Sequence, residues 1–315
     1  MRISIGLLQA IIAVAICAIA IAMHLVEFPV TSMAARELVN ALHAPGFGVV
    51  AVSMLILFRQ ANGPQLAYSW AFATAFLLAL AAEAAQIIGP RGTSVGDLGW
   101  DLVGISGFLA LAACVDSRAR RSLSTSGLAL LLVVGVTATG AAVGPVAQDA
   151  RVLISRARAM PVIASFDHSW EAGIYRSSAP TQLSVVEPPA EWPIQDSKII
   201  AVDLAPIRYS GVTIDAFPNW SGFNSLSFVA ASTDGQNHEL VIRVHDAEHN
   251  QEYSDRFNRN FTIGPNAVRY KITLEDIQHS VHAREFDMSR VAGIVIFKVD
   301  ATGDERLLFD DFRLE

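Results

Sequence analysis

Between residues 5 and 146 the apolar positions run on almost unbroken, while from residue 161 they come in short stretches that alternate with polar ones. The first pattern predicts helices of bilayer length, about 20 residues each, in which every backbone group is satisfied internally. Five are expected, over residues 5–23, 44–58, 68–88, 98–115 and 127–146. A secretory signal competes for the first, but that run exceeds a signal h-region of about 7–15 residues. Gly144-Pro145 is expected to end the last span. Gln148–Met160 then reads as a short helix carrying Arg151, Arg156 and Arg158, either lying at anionic headgroups or serving as a solvated linker.

The second pattern predicts strands over residues 162–167, 197–204, 212–216, 226–231, 240–246, 257–263, 267–273, 291–299 and 307–314. Asp234-Gly235, Gly264-Pro265-Asn266 and Thr302-Gly303-Asp304 mark turns between them. The continuous apolar run from Val291 to Phe297 has the texture of a central strand buried on both faces. The expected architecture is therefore a five-helix transmembrane bundle (1–147), a juxtamembrane linker (148–160) and an all-β jelly-roll sandwich (161–315).

Composition sharpens this division. Residues 1–150 carry 7 Lys/Arg and 7 Asp/Glu, whereas residues 151–315 carry 16 and 23. An acidic polar half without a basic stripe excludes nucleic acid as a partner. Cys17 and Cys114 both lie in apolar runs, which excludes a disulfide scaffold and a cysteine zinc site. Arg2, Arg59, Arg118, Arg120 and Arg121 fall on one side of the expected spans, and Arg36 and Arg91 on the other. The positive-inside rule then places the N-terminus in the cytoplasm and the β-domain outside, although Arg151, Arg156 and Arg158 level the count. Three lysines in the whole chain, amid abundant Ala and Arg, fit a GC-rich bacterial genome.

Ionisable groups at membrane depth are costly, so those present carry the most information. Glu83 and Gln86 share a helix face, and Asp97 and Asp101 open the next span on one face across a tight loop containing Arg91. His43 precedes the second span at the same level, and Gly104 and Gly107 permit close helix approach. One arginine cannot neutralise three carboxylates, so the group must bind protons or a cation. These residues fit a polar clasp that fixes the hairpin, a site for a lipid-linked headgroup, or a proton or cation path. The string Glu83-x-x-Gln86, Arg91, Asp97, Asp101, Gly104, preceded by Asn40-Ala-Leu-His43, resembles the VanZ-like membrane protein family over residues 1–147. That resemblance implies a bacterial cell-envelope protein of the cytoplasmic membrane; Asp101 departs from it, since Asn is usual there.

Phe166-Asp167, Tyr209 to Val212, Asn219 to Phe223, Asp246, Tyr253 to Phe257, Leu274 to Ile277 and Leu308 to Leu314 follow one another in an order that resembles carbohydrate-binding, galactose-binding-like jelly rolls. The resemblance implies that the first and last strands are neighbours, which would bring Asp167 near Asp310; as a pair they fit solvated turn acids first and ligands of a structural Ca²⁺ second, and no cofactor is required. Trp170, Trp192, Trp220 and Tyr253 are the aromatic candidates for stacking on a sugar, although core or edge packing outweighs a ligand platform for each. His245-x-x-x-His249 falls at a strand end and turn, so it reads as a pair of surface histidines. The expected function is an envelope membrane protein whose outer β-domain binds glycan or a partner protein and whose helices engage membrane lipid and a lipid-linked component. An enzyme or transporter centred on the polar cluster, and a pure assembly scaffold, are the alternatives.

Overall fold

A computed structural model describes residues 32–86, 95–195, 197–216 and 219–315, together with the single positions 11, 14 and 18; for Gln86 and Val95 it describes only the backbone. The expected first helix and Arg91 lie outside the described residues, as does the side chain of Gln86. The chain divides into two compact units, one of residues 1–29 and 37–148 and one of residues 30–36 and 149–315.

The helical unit holds helices α1 (Met33–Ala41, in part), α2 (His43–Phe58), α3 (Pro64–Gln86), α4 (Val95–Val115), α5 (Ser117–Arg120) and the first part of α6 (Thr125–Ala159). Among the described residues, four stretches are long and apolar enough to cross a membrane: Met33–Phe58, Pro64–Ala85, Gly96–Val115 and Thr125–Ala159. Large apolar side chains are also exposed on these helices, among them Leu77, Leu130, Leu132, Val133 and Val136.

Inside, packing is built on small residues. Ala67, Ala71, Ala75 and Ala79 recur every four residues on α3 and are fully buried with Phe47, Val50, Ala51 and Ile105. Such a stripe lets backbones approach closely. Gly104 goes further, because a Cβ there would lie 1.8 Å from the carbonyl oxygen of Ala44. At the far end of α2, Arg59 donates to Asp116 at 2.7 Å, and Asp116 also caps α5.

Helix α6 runs through Pro145 instead of ending there. Proline removes one N–H from the ladder, but the apolar turns on both sides keep theirs and the helix continues.

The β-unit is a sandwich of two antiparallel sheets. Its strands are β1 (Val162–Ala164), β2 (Tyr175–Ser177), β3 (Gln182–Val186), β4 (Ile199–Asp203), β5 (Tyr209–Asp215), β6 (Ser225–Ser232), β7 (His238–Asp246), β8 (Phe257–Ile263), β9 (Val268–Thr273), β10 (Val291–Val299) and β11 (Arg306–Leu314), with a short helix α7 (Leu274–Gln278) after β9. One sheet has the order β3-β4-β11-β6-β9 with β1 also paired to β11; the other has the order β2-β5-β10-β7-β8. The nine expected strands are all present, and the first does pair with the last. The two unexpected strands, β2 and β3, are edge strands. Alternate residues such as Val212, Ile214, Leu240, Ile242, Ile294 and Ile296 point inward and fill one core with Phe228, Phe309 and Trp220.

Arg156 corrects a second expectation. It does not lie at headgroups but is buried inside the β-unit, where Nη1 donates to Asp215 Oδ2 at 2.8 Å and Nη2 to the Asp215 carbonyl at 2.5 Å. The backbone N–H of Ala34 reaches the same carboxylate at 3.4 Å. One buried pair therefore pins the end of α6 and the 32–36 segment to strand β5. Removing one member strands a buried charge, so Arg156→Met should cost about 3–5 kcal/mol. Thermal unfolding of the full chain in detergent tests this: Arg156→Met should melt well below wild type, and Arg156→Met/Asp215→Leu should recover most of the loss. An unchanged melting temperature for the single variant would remove the pair from its structural role.

Candidate functional site

The strand alternation that fills the core leaves the opposite positions of the five-stranded sheet facing out. Tyr209, Gly211 and Thr213 of β5, Val295, Phe297 and Val299 of β10, Val241 and Arg243 of β7, and Asn258 of β8 share that face. With Tyr253 and Arg256 they line a groove of about 540 Å³. Tyr209 is 52% exposed and Tyr253 70% exposed. The Tyr209 ring meets Phe297 edge-on with centroids 5.6 Å apart. Guanidinium groups lie over these rings: Arg243 is 5.0 Å from the Phe297 centroid, Arg208 5.3 Å from Tyr209 and Arg256 5.9 Å from Tyr253. The charged residues lining the groove are arginines, with no carboxylate among the described lining residues.

Tyr253 opens a single 3₁₀ turn, Tyr253–Asp255, and its position is set by an ionic clamp. Arg284 donates through Nη1 and Nη2 to Asp246 at 2.5 and 2.7 Å and through Nε to Asp255 at 2.6 Å. The backbone N–H groups of Asn250 and Asp287 supply further donors to the two carboxylates. Burial pushes the Asp246 carboxyl up, but the Arg284 guanidinium and the backbone N–H groups of Asp287 and Glu248 together hold the group below the usual carboxylate range. Arg284 does the same for Asp255.

The turn after β7 also folds His249 back against His245, with ring centroids 5.5 Å apart. Neither is the surface histidine expected. Burial first, and then the neighbouring His249 and Arg243, push the His245 imidazole down to about 4, so it is neutral at physiological pH.

The aromatic candidates divide. Tyr253 borders the groove. Trp192 and Trp220 do not reach solvent and are corrected to core residues. Trp220 sits in the main core, while Trp192 covers Ile199, Val229 and Leu308 on the outer face of the six-stranded sheet. Trp170 is half-buried on a 3₁₀ turn and stacks on His168 at 6.1 Å. Tyr209 was not among the candidates. It carries the outward parity of Phe297 and Val299, a signal that needs the strand pairing to be read.

Asp167 and Asp310 do line one small pocket of about 300 Å³. Protein donors already engage them: Trp192 Nε1 and Ser197 Oγ donate to Asp310 Oδ2 at 3.0 and 3.2 Å, and the Lys198 N–H donates to Asp167 at 2.7 Å. No third histidine or acidic ligand atom joins them to complete a metal-binding trio among the described residues.

Such a trio exists in the helical unit. One ring nitrogen of His43 (α2), one oxygen of Glu83 (α3) and one oxygen of Asp101 (α4) lie within 4.8 Å of one another, and all three residues are buried. Glu83 continues the alanine stripe of α3, four residues after Ala79, which turns it inward. Asp97, on the same face of α4 and one turn earlier, is half-buried.

No protein-family model matches the chain, and no curated protein matches it. Among solved structures, about half of the chain is similar to a family 11 carbohydrate-binding module from Clostridium thermocellum in complex with a β-1,3-1,4-mixed-linked tetrasaccharide. The identity is 12%, the match covers 49% of this chain and 93% of that one, and the TM-score is 0.36. The CBM22-1 xylan-binding domain of Paenibacillus barcinonensis Xyn10C is similar at 12% identity over 49% and 94% of the two chains, with a TM-score of 0.34. An exo-β-agarase is similar at 17% identity, with 49% and 24% covered and a TM-score of 0.39. At these scores the likeness assigns neither ligand nor activity.

Two buried acids of the β-unit make opposite contributions as pH changes. Burial pushes Asp310 up to about 6 against the pull of Trp192 and Ser197. The folded state therefore holds its proton longer than the unfolded one, and stability falls as pH rises from about 4 to 6, by about 3 kcal/mol at most at 1.36 kcal/mol per unit. Glu305 is buried too, yet Lys298 and the N–H groups of Thr302 and Gly303 hold it down to about 2. Its contribution is present above the unfolded value and lost as pH falls towards 2. Thermal midpoints of the full chain at pH 4 and pH 7, followed by tryptophan fluorescence, should show a smaller fall for Asp310→Asn than for wild type. Equal falls would mean that Asp310 is not the group responsible.

Proposed function

We propose that this chain is a membrane-anchored glycan-binding protein of the bacterial cell envelope, with the saccharide held in the groove between Tyr209 and Tyr253. The observation that carries the reading is the groove itself: two exposed tyrosines flank a floor of Phe297 and Val295, with Arg243, Arg256 and Asn258 alongside. A sugar ring has an apolar C–H face and a rim of hydroxyls. Rigid aromatic rings supply area for the first at low entropic cost, and planar guanidinium and amide groups hydrogen-bond the second. The arginines favour a glycan bearing carboxylates, because a guanidinium fork matches a carboxylate in two bonds.

The apolar helices support the anchoring role. The arginine distribution over the expected spans supports an extracytoplasmic β-domain. The VanZ-like residues support an envelope setting, in which the helices meet a lipid-linked component. A second reading, an enzyme or transporter centred on the helical unit, is favoured by the convergence of His43, Glu83 and Asp101.

Binding of the detergent-solubilised full chain to a neutral β-glucan and to polygalacturonate, by affinity electrophoresis, tests the first reading. Wild type should be retarded by saccharide, more by the acidic one. Tyr209→Ala and Tyr253→Ala should each weaken binding about tenfold, equivalent to about 1.4 kcal/mol. Retardation that is unchanged in both tyrosine variants, or absent in wild type for both polymers, rejects the groove as the glycan site.

A further inference from the structure

Helices α2, α3 and α4 each send one ligand-type side chain to a common point. His43 stands at the first residue of α2, Glu83 on the last turn of α3 and Asp101 on the second turn of α4. Their donor atoms fall within 4.8 Å of each other. Asp101 is 0% exposed, and both its carboxylate oxygens are buried without a hydrogen-bond partner among the described residues. An ionised carboxylate in such surroundings requires a counter-charge or a proton.

We infer that His43, Glu83 and Asp101 form a binding site for a single divalent transition-metal ion, with zinc the best match. The donor set selects the class. Calcium and magnesium take six or more oxygens and gain nothing from an imidazole, whereas zinc binds imidazole nitrogen and carboxylate oxygen together. Adjacent donors around a tetrahedral zinc with bonds of about 2.0–2.1 Å stand about 3.4 Å apart, a contraction that side-chain rotation supplies. Two carboxylates and one divalent ion sum to zero charge, which suits a site among apolar helices. Three protein donors leave a fourth position open, the pattern of a zinc that holds water or a ligand oxygen and not of a closed four-ligand structural site.

The test uses the full chain in detergent micelles, purified with a tag that lacks histidine, stripped with EDTA, incubated with zinc chloride and desalted. Elemental analysis should find about one zinc per folded wild-type chain, retained in the presence of excess magnesium and calcium. Asp101→Asn, which keeps the side chain's size, and His43→Gln should each weaken zinc binding at least about tenfold. Zinc should raise the melting temperature of wild type and not of these variants. His249→Gln controls for the histidine pair of the β-unit and should keep its zinc. Wild type that retains no zinc overturns the assignment, whatever the variants do, and means that the three groups share protons instead. Zinc that survives Asp101→Asn but is lost in His249→Gln overturns it as well, as does displacement by magnesium or calcium.

Discussion

At residue 104 the backbones of two helices come so close that no side chain fits between them. A Cβ on Gly104 would stand 1.8 Å from the Ala44 carbonyl oxygen and 2.6 Å from its carbon. Residue 44 follows His43 directly, and residue 104 is three places beyond Asp101 on the same face of α4. The contact that joins α2 to α4 thus also sets an imidazole beside a carboxylate. The third helix arrives by the same means, since the alanine stripe of α3 turns Glu83 towards the same point. Polar groups are brought together here by the packing of small residues, and removal of the space they leave would disperse the cluster.

The β-unit works on a different period. Two-residue alternation sorts every strand of the five-stranded sheet into an inward apolar set and an outward set, and the outward set is the groove. Ionic clamps then hold what alternation alone does not. Arg284 fastens the turn that presents Tyr253, and Arg156 ties the end of a long helix to β5. Breaking such a buried pair costs far more than a surface ion pair contributes, so these are points of rigidity.

Much of this was legible in the chain. Long apolar runs and alternating ones placed the described long helices and nine of the eleven strands, because an apolar helix and a strand in a sandwich core leave different periods. The polar residues His43, Glu83 and Asp101 were identifiable because charge is rare in an apolar run. Strands β2 and β3 were not, since short edge strands bury little and lack a strong pattern. For Trp192 and Trp220 the core reading holds over the sugar-platform one, a choice local pattern leaves open because a tryptophan in a turn-rich segment looks alike whether it faces a ligand or a core. Tyr209 and the clamp of Arg284 on Asp246 and Asp255 depend on pairing between distant strands and turns, which local pattern does not encode. Pro145 misled: one missing N–H is tolerated inside a long helix whose turns continue on both sides.

Two glycines of α4 separate the claim about close helix packing from general helix propensity. Gly99 has no atom within 4 Å of a would-be Cβ, while Gly104 faces the Ala44 carbonyl. Alanine is the better helix former by about 1 kcal/mol, so propensity alone stabilises both substitutions. Thermal unfolding of Gly99→Ala and Gly104→Ala chains in the same detergent should give an equal or higher midpoint for the first and a clearly lower one for the second. A midpoint for Gly104→Ala at or above that of wild type would show that α2 and α4 do not meet there, and the convergence of His43 with Asp101 would fall with it.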